Sequence, residues 1–303
     1  MHDRTEIFED LRPRLMGIAY RMLGSVSDAQ DAVQDSYLKW IKYQGPAIKI
    51  PEAWLSRVCT NICLDRLKAA HKTRLDYVGP WIPDQIQTDF DGGPEEQVEI
   101  ASSLTTAFLL LLERLTPKER ATYLLHDIFG MPFEEVAAVL NLQPANCRKL
   151  AARARAFVVK DKARHIPDRE IQARLLDAFK AALRTGNTDG LVDMLRTDAD
   201  LRADSGGKVA AVRHVIEGPT QITDFISYVL SPIWQDKSIT VQTVNGLLGF
   251  LVEGQSGAHA SVSFSYDAVG RVRHVFVMRH PDKLDLLKGT RLRSSRRGAL
   301  FIQ

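Results

Sequence analysis

The segment LQPANCRKLAARARAFVVKDKAR, residues 142–164, gathers Arg148, Lys149, Arg153, Arg155, Lys160, Lys162 and Arg164 against a single acid, Asp161. Cations at this density serve to hold an acidic partner. On a helix, Cys147, Leu150, Ala151, Ala154, Phe157 and Val158 form one apolar stripe, so the cations flank or oppose it. The intervening alanines keep that surface low and let Arg148, Lys149, Arg153 and Arg155 approach a groove. The major groove of duplex DNA admits such a helix, with its N-terminal residues at base edges and its later cations at phosphates. A short helix (PFEEVAAVL), a tight turn at Asn141 and Leu142 and a basic helix from Pro144 give the helix-turn-helix pattern. A solvated basic face is the bland alternative.

A second group lies earlier in the chain. Arg57, Asn61 and Lys68 share a helix side away from Trp54 and Val58, and the Asn61 amide can both donate to and accept from a base. With Trp40, Tyr43 and the loop QGPAIKI, this surface suits single-stranded nucleic acid held by stacking and backbone attraction. Trp40 and Trp54 are also natural core residues. Asp28, Asp31 and Asp35 form an acidic stripe that repels nucleic acid and suits a protein partner or solvent.

The elements that must position these residues follow from periodicity. The chain has 303 residues, 45% hydrophobic and 25% charged, enough for two or three compact units. Its net charge is only +3, so the basic run is a local feature. The start MHDRTEIFED is charged where a secretory signal is apolar, and no stretch approaches the roughly 20 apolar residues of a membrane span. We expect a cytoplasmic protein with no membrane contact. Cys59, Cys63 and Cys147 cannot pair completely and are expected in the core, with no metal or cofactor implied.

Residues 1–75 are predicted helical: one helix carrying Phe8, Leu11, Leu15, Ile18 and Met22, a second opened by a Ser27–Gln30 capping box, and a third begun by Pro51. Residues 76–97 are predicted as a linker rich in proline and glycine. Residues 98–165 form a second helical domain: ASSLTTAFLLLLERL as one helix, then PKERATYLLHDIF, PFEEVAAVL and the basic helix. In residues 168–285, REIQARLLDAFKAALRTG and TDGLVDMLRTD precede the β-forming segments SITVQTV, LLGFLVEG, AHASVSFSYD and RVRHVFVMRH, with a hairpin turn at Asn245-Gly246. The expected fold class is therefore multidomain, two all-α domains followed by an α+β domain with an antiparallel sheet. Residues 286–303 are a basic tail expected to be largely unstructured.

DAQDAVQDSYLKWI followed by PEAWLSRVCTNICLDRLKAAHKTR resembles region 2 of the extracytoplasmic-function (ECF, sigma-70 type) RNA polymerase sigma factors, and LTPKERATYLLHDIFGMPFEEVAAVLNLQPANCRKLAARARAF resembles their region 4. The resemblance covers roughly the first half of the chain, with both motifs in order. It implies core RNA polymerase and promoter DNA as partners. By this resemblance the helix with Asp28, Asp31, Asp35 and Trp40 docks on the clamp helices of the polymerase's largest subunit. Arg57, Asn61 and Lys68 engage the melted −10 element, and Pro144, Arg148, Lys149, Arg153 and Arg155 read the duplex −35 element.

The C-terminal half resembles a subgroup with a fused SnoaL-like (NTF2-like) domain. The match rests on WIPD (with Trp81, Pro83 and Asp84), DSGGKV (with Asp204, Gly206, Gly207 and Lys208) and HPDKL (His280, Pro281, Asp282, Lys283 and Leu284). The subgroup's forms are WLPEP, DGGGKV and NPDKL, and Asp84 and Gln85 replace the second half of the linker motif, which leaves its docking partner open. In the subgroup the fused domain regulates in place of a membrane-bound anti-sigma protein, with the tail needed for activity. We accordingly expect the C-terminal domain to pack on the linker near WIPD and to fix the spacing of the two DNA-binding domains.

Relatives of that domain often enclose a pocket, for which Asp204, Lys208, His214, His259 and His274 are candidate linings and an unknown small molecule the candidate ligand. The rival readings are a stand-alone helix-turn-helix regulator and an enzyme with a DNA-binding appendage.

Overall fold

Three helices at the N-terminus turn their apolar stripes inward: α1 (Arg4–Leu23), α2 (Val26–Lys42) and α3 (Pro51–Leu75). The computed structural model describes residues 4–90, 98, 100–161, 165–255, 257–289, 291–295 and 299–302. Pro51 opens α3 as expected. The cap of α2 is Ser25, whose hydroxyl accepts from Asp28 N at 3.4 Å, and not the expected Ser27. Gly24 already turns the chain, so the helix starts two residues earlier.

The stretch ASSLTTAFLLLLERL is not one helix. It breaks before α4 (Thr106–Glu113), which Thr105 caps by accepting from Phe108 N at 3.1 Å. The reason lies in α1: buried Arg21 needs acceptors, and Ser103 supplies its hydroxyl at 2.8 Å and its carbonyl at 3.2 Å. A regular helix through Ser103 would direct that carbonyl along the helix axis. Next come α5 (Pro117–Tyr123), held by a Thr116–Glu119 capping box and continued by a π-turn over Leu124–Ile128, then α6 (Phe133–Leu140) and α7 (Pro144–Asp161). Asn141, left-handed at φ 51°, makes the tight turn between the last two. Both helical domains share one core that includes Ile18, Leu55, Phe108, Leu112, Val136 and Cys147. All three cysteines are free and buried.

The C-terminal domain starts with α8 (Arg169–Thr185) and the short α9 (Asp189–Val192). The helix expected over TDGLVDMLRTD stops there, and Leu195 begins a strand, β2 (Leu195–Asp204). Leu195, Ala199, Leu201 and Ala203 are buried in this strand, a spacing of two that the run of charges concealed. The stretch unassigned from sequence forms β3 (Ile216–Glu217), α10 (Pro219–Phe225), a π-turn and α11 (Ser231–Trp234). Then β4 (Ser238–Val244), β5 (Leu247–Gly254), β6 (Gly257–Tyr266) and β7 (Val272–Met278) form the antiparallel meander. The sheet is mixed, because β2 lies parallel to β7. One face buries Phe179, Phe250 and Phe264, ring centroids 5.2–5.7 Å apart, with Trp234 beneath the helices. The opposite face presents Phe276 and Met278 to the helical core, joined by Leu284 of α12 (Pro281–Gly289).

Linker and tail both differ from expectation. β1 (Gln87–Phe90), inside the linker, pairs with β4 and, in parallel, with β8 (Arg291–Ser295), which pairs with β9 (Ala299–Ile302). The tail thus extends a sheet of order β3-β2-β7-β6-β5-β4-β1-β8-β9. An edge offered by a distant segment gives a basic sequence backbone partners that its own pattern does not announce. No described helix is long and apolar enough to cross a membrane.

Arg120 joins the two helical domains: it is 3% exposed and donates to Met22 O at 2.6 Å and Glu113 at 2.7 Å. Arg120→Ala removes both charge-assisted hydrogen bonds and should lower unfolding free energy by about 1.5–3 kcal/mol, read by urea denaturation; a change below about 0.5 kcal/mol would count against this role.

Candidate functional site

The basic helix α7 lies over the shared core on Cys147, Ala151, Ala154 and Val158, all buried, and leaves Arg148, Lys149, Arg153 and Arg155 exposed. Pro144 sits in its first turn, half-buried. Arg148 reaches Glu134 at 2.8 Å and lies over the Phe133 ring, and Arg155 pairs with Asp127. The exposed Arg148–Glu134 pair contributes about 0–1 kcal/mol, whereas the partner of Arg155, Asp127, is largely covered. Lys162 and Arg164 lie outside the described residues.

On α3, Arg57, Asn61 and Lys68 are exposed, as the spacing requires. Lys68 pairs with Asp65 at 2.9 Å. The Asn61 amide meets the other domain, with Nδ2 3.5 Å from Val139 O near the end of α6. Trp40 requires correction as a contact residue. It is 3% exposed, donates from Nε1 to Arg4 O at 2.7 Å and packs on Trp54 at 5.5 Å. Its large apolar ring fills the seam between α2 and α3 and is not available to a partner. The acidic stripe is partly neutralised from α3: Arg66 lies 3.8, 3.4 and 2.9 Å from Asp28, Asp31 and Asp35.

The three short motifs converge between the domains. Asp204, fully buried at the end of β2, accepts through Oδ2 from Ile82 N and Lys283 Nζ, each at 2.9 Å. Its Oδ1 accepts from Tyr77 OH at 2.6 Å and Gly206 N at 3.1 Å. Lys283 also donates to Ile82 O at 2.6 Å and stands over the rings of Trp81 at 4.9 Å and Tyr77 at 5.6 Å. The peptide of Ile82 is thereby gripped at both its N–H and its carbonyl.

Two residues on from Ile82, past buried Pro83, Asp84 holds region 2. Its Oδ2 accepts from Val26 N at 2.8 Å at the start of α2, its N–H donates to Gly24 O at 2.8 Å, and its carbonyl accepts from Tyr20 OH at 2.6 Å. The departure from the WLPEP form is thus a helix cap. Burial pushes the Asp84 carboxyl up, opposed by Lys283 3.9 Å away. Outside this knot Lys208 pairs with Asp282, Pro281 opens α12, Leu284 is buried, and Gly207 lies against Val78. Gly206, at φ 56°, admits the His280 ring: a Cβ there would meet it at 2.4 Å.

Residues 7–73 match the model of Sigma-70 region 2, and residues 105–158 that of Sigma-70 region 4. The chain is 37% identical over 225 residues to the ECF RNA polymerase sigma factor SigJ of Mycobacterium tuberculosis, covering 72% of this chain and 70% of that protein. The chain belongs to the ECF RNA polymerase sigma factors. The crystal structure of M. tuberculosis SigJ superposes with a TM-score of 0.71 at 31% identity, over 93% of this chain and 98% of that one. SigG of the same species is 31% identical over 216 residues, 63% of this chain and 58% of that protein. This sigma factor, like its family, acts through its sigma regions by binding and not by catalysis.

A second contact of the sigma factor was missed from sequence. Asn245, read only as a hairpin turn, exchanges two hydrogen bonds with Ile86: its N donates to Ile86 O at 2.9 Å and its Oδ1 accepts from Ile86 N at 2.8 Å. Its Nδ2 lies 3.4 Å from Tyr20 OH, and Gly246 N donates to Thr88 Oγ1 at 3.0 Å. Gly246, at φ 84°, lets the turn close on Ala101, which a Cβ would meet at 2.7 Å. The Asn-Gly turn therefore touches region 2, the linker and the start of region 4. The sequence signal was present but read as local.

The candidate pocket residues do not gather. Asp204 belongs to the clasp that it forms with Lys283 and the Ile82 peptide, Lys208 pairs outside it with Asp282, His214 is exposed, His259 meets Arg279 at 3.2 Å, and the His274 ring lies 2.9 Å from Asp200.

Two outcomes follow. His280 is held below the ordinary histidine range by burial and then by Lys283, with Asp204 and Asp282 acting the other way and Lys208 adding to the shift. The packed form therefore takes a proton there less readily, so this contribution to closure is full above about pH 6.5 and lost as pH falls through the depressed value. Asp84, shifted upward, opposes this at the acid end. Linker cleavage by protease should rise from about pH 7.5 to about pH 5.5, and His280→Asn should flatten the rise. His259, lowered by burial and Arg279, has the same sign and needs His259→Asn as control. Separately, Asn245→Ala should weaken closure by about 1–3 kcal/mol, seen as faster amide exchange at residues 85–88.

Proposed function

We propose that this sigma factor directs core RNA polymerase to −10 and −35 promoter elements and that the described packing is its closed resting form, maintained by the C-terminal domain. The observation that carries the reading is the Asn61 side chain set against Val139, the −10 helix lying on region 4. The two elements are named 25 base pairs apart, about 85 Å along duplex DNA at about 3.4 Å per pair. A compact chain of 303 residues has a radius of gyration of about 19 Å and is roughly 50 Å across. Region 2 and region 4 packed on each other do not span that distance, so engaging both elements requires the linker to be released.

The clasp governs that release, since it grips the linker at Ile82 and Asp84, and the Asn245 turn grips it again at Ile86. Control without catalysis is supported by the scattered histidines and by the aromatic filling of the sheet's helix-covered face. Charged exposed surfaces and a DNA partner support a cytoplasmic site of action.

The experiment is promoter transcription by core polymerase with full-length protein. Lys283→Ala, which leaves Asp204 unbalanced, should raise it and expose the linker to protease; unchanged output with an exposed linker would falsify the closed resting form. Charge reversal at Asp28, Asp31 and Asp35 should abolish co-elution with core polymerase. Lys149→Ala should weaken −35 duplex binding by about 1–3 kcal/mol if it meets a base, and less with a shallower salt slope if it meets phosphate. Asn61→Ala should spare duplex binding and reduce permanganate-reactive thymines at −10.

A further inference from the structure

Arg148 is held differently from the other exposed cations of α7. Its guanidinium carbon lies 5.5 Å from the centre of the Phe133 ring, and its Nη2 donates to Glu134 Oε1 at 2.8 Å. Phe133 and Glu134 open α6, the helix before the tight turn. Arg155 meets Asp127 without a ring beneath it, and Lys149 and Arg153 have no ion pair, hydrogen bond or ring contact among the described residues.

The ring under Arg148 is itself fixed. His126 stacks on Phe133, with centroids 3.8 Å and planes 23° apart, and His126 Nδ1 lies 2.8 Å from Met131 O. The π-turn over Leu124–Ile128 presents that imidazole, and the chain after it is stitched back by Gly130 N donating to His126 O at 3.1 Å and Met131 N to Leu125 O at 2.9 Å. Gly130, at φ 68°, makes the left-handed step this return needs. Phe133 also packs on the shared core, so contacts run from that core to a guanidinium on the surface.

Stability does not explain this support, because the Arg148 and Glu134 side chains are 56% and 65% exposed and such pairs add little. The support removes rotamer freedom from a long side chain before it meets a ligand, which lowers the cost of that contact. Arg148 follows Pro144 by four residues, in the N-terminal part of α7, where a recognition helix meets base edges. With one N–H on Glu134, the guanidinium keeps parallel donors that match O6 and N7 of guanine. Phosphate requires charge without a fixed fork, which Lys149 and Arg153 supply.

We propose that Arg148 reads a guanine in the major groove of the −35 duplex, and that Phe133 and Glu134, backed by His126, are positioning residues that aim its fork. This rests on α7 being the −35 helix and adds the base it reads and the groups that orient the reader.

The test binds full-length protein with core polymerase to a pool of random-sequence duplexes and sequences those retained. Wild type should enrich an upstream block with G·C at one position. Arg148→Lys, Phe133→Ala and Glu134→Ala should each reduce that preference at least about fivefold, the lower end for one bidentate contact, and keep the preferences at other positions. Phe133→Tyr, which preserves the ring, should retain it, whereas Arg153→Ala should lower retention of all sequences alike. Near-UV circular dichroism checks folding, and Glu134→Ala, a surface change, decides the matter if Phe133→Ala unfolds. Wild-type preference in folded Phe133→Ala, or in Glu134→Ala, overturns the positioning role. Wild-type preference at every position in Arg148→Lys overturns base reading by Arg148 while leaving α7 as the −35 helix. Failure of the wild-type complex to enrich any upstream block overturns the −35 assignment and this inference with it.

Discussion

A single buried ion pair, Lys283 with Asp204, organises the contact between the three parts of this chain. Its energetics explain why it is surrounded as it is. An ammonium and a carboxylate withdrawn from water each lose several kcal/mol of hydration, which their attraction returns only when the remaining donors and acceptors are also satisfied. Here Lys283 donates to a linker carbonyl and faces two aromatic rings, while Asp204 accepts from a linker N–H, a tyrosine hydroxyl and Gly206. The pair is therefore complete only with the linker in place, and the linker is fixed only while the pair is intact.

That mutual dependence suits a switch better than a permanent joint. The seam around it is more polar than either core: Gln85 bonds Ser263 at 2.8 Å, and Thr106 lies 3.4 Å from the same hydroxyl. Nearby Ser261 and Ser265 hydroxyls and Gln85 Oε1 are buried without a partner among the described residues. Such groups reduce the gain from closing and are rehydrated on opening. The helix-covered face of the C-terminal sheet is filled instead by the rings of Phe179, Phe250 and Phe264, which pack against one another.

Within the sigma regions the same reasoning separates surface from support. Arg148 rests on the exposed Glu134, and Arg155 is exposed over the largely covered Asp127. Trp40, by contrast, sits too deep to touch a partner and instead sets the angle at which α2 presents its acidic stripe. Arg66 holds that stripe in register while reducing its repulsion. Position along the helix distinguishes these cases poorly, because exposure depends on what a neighbouring helix covers.

Much of the architecture was legible in the sequence: the helix starts at Pro51 and Pro144, the basic face over buried Cys147 and Ala154, the hairpin at Asn245-Gly246 and four of the strands. These are local matters, decided by side-chain period, proline geometry and the left-handed preference of glycine and asparagine within a few residues. Where the chain departed from expectation, a distant partner was responsible. Arg21 drew Ser103 out of a helix, β7 made a strand of LRTDADLRAD, and β1 offered its edge to a tail that reads as disordered. The three short motifs could be recognised from sequence, but only tertiary packing brought Asp204, Lys283 and the Ile82 peptide within hydrogen-bond distance and set Asn61 against region 4. Residue types determine which interactions are available to this chain; the closing of long loops around buried charge decides which of them are made.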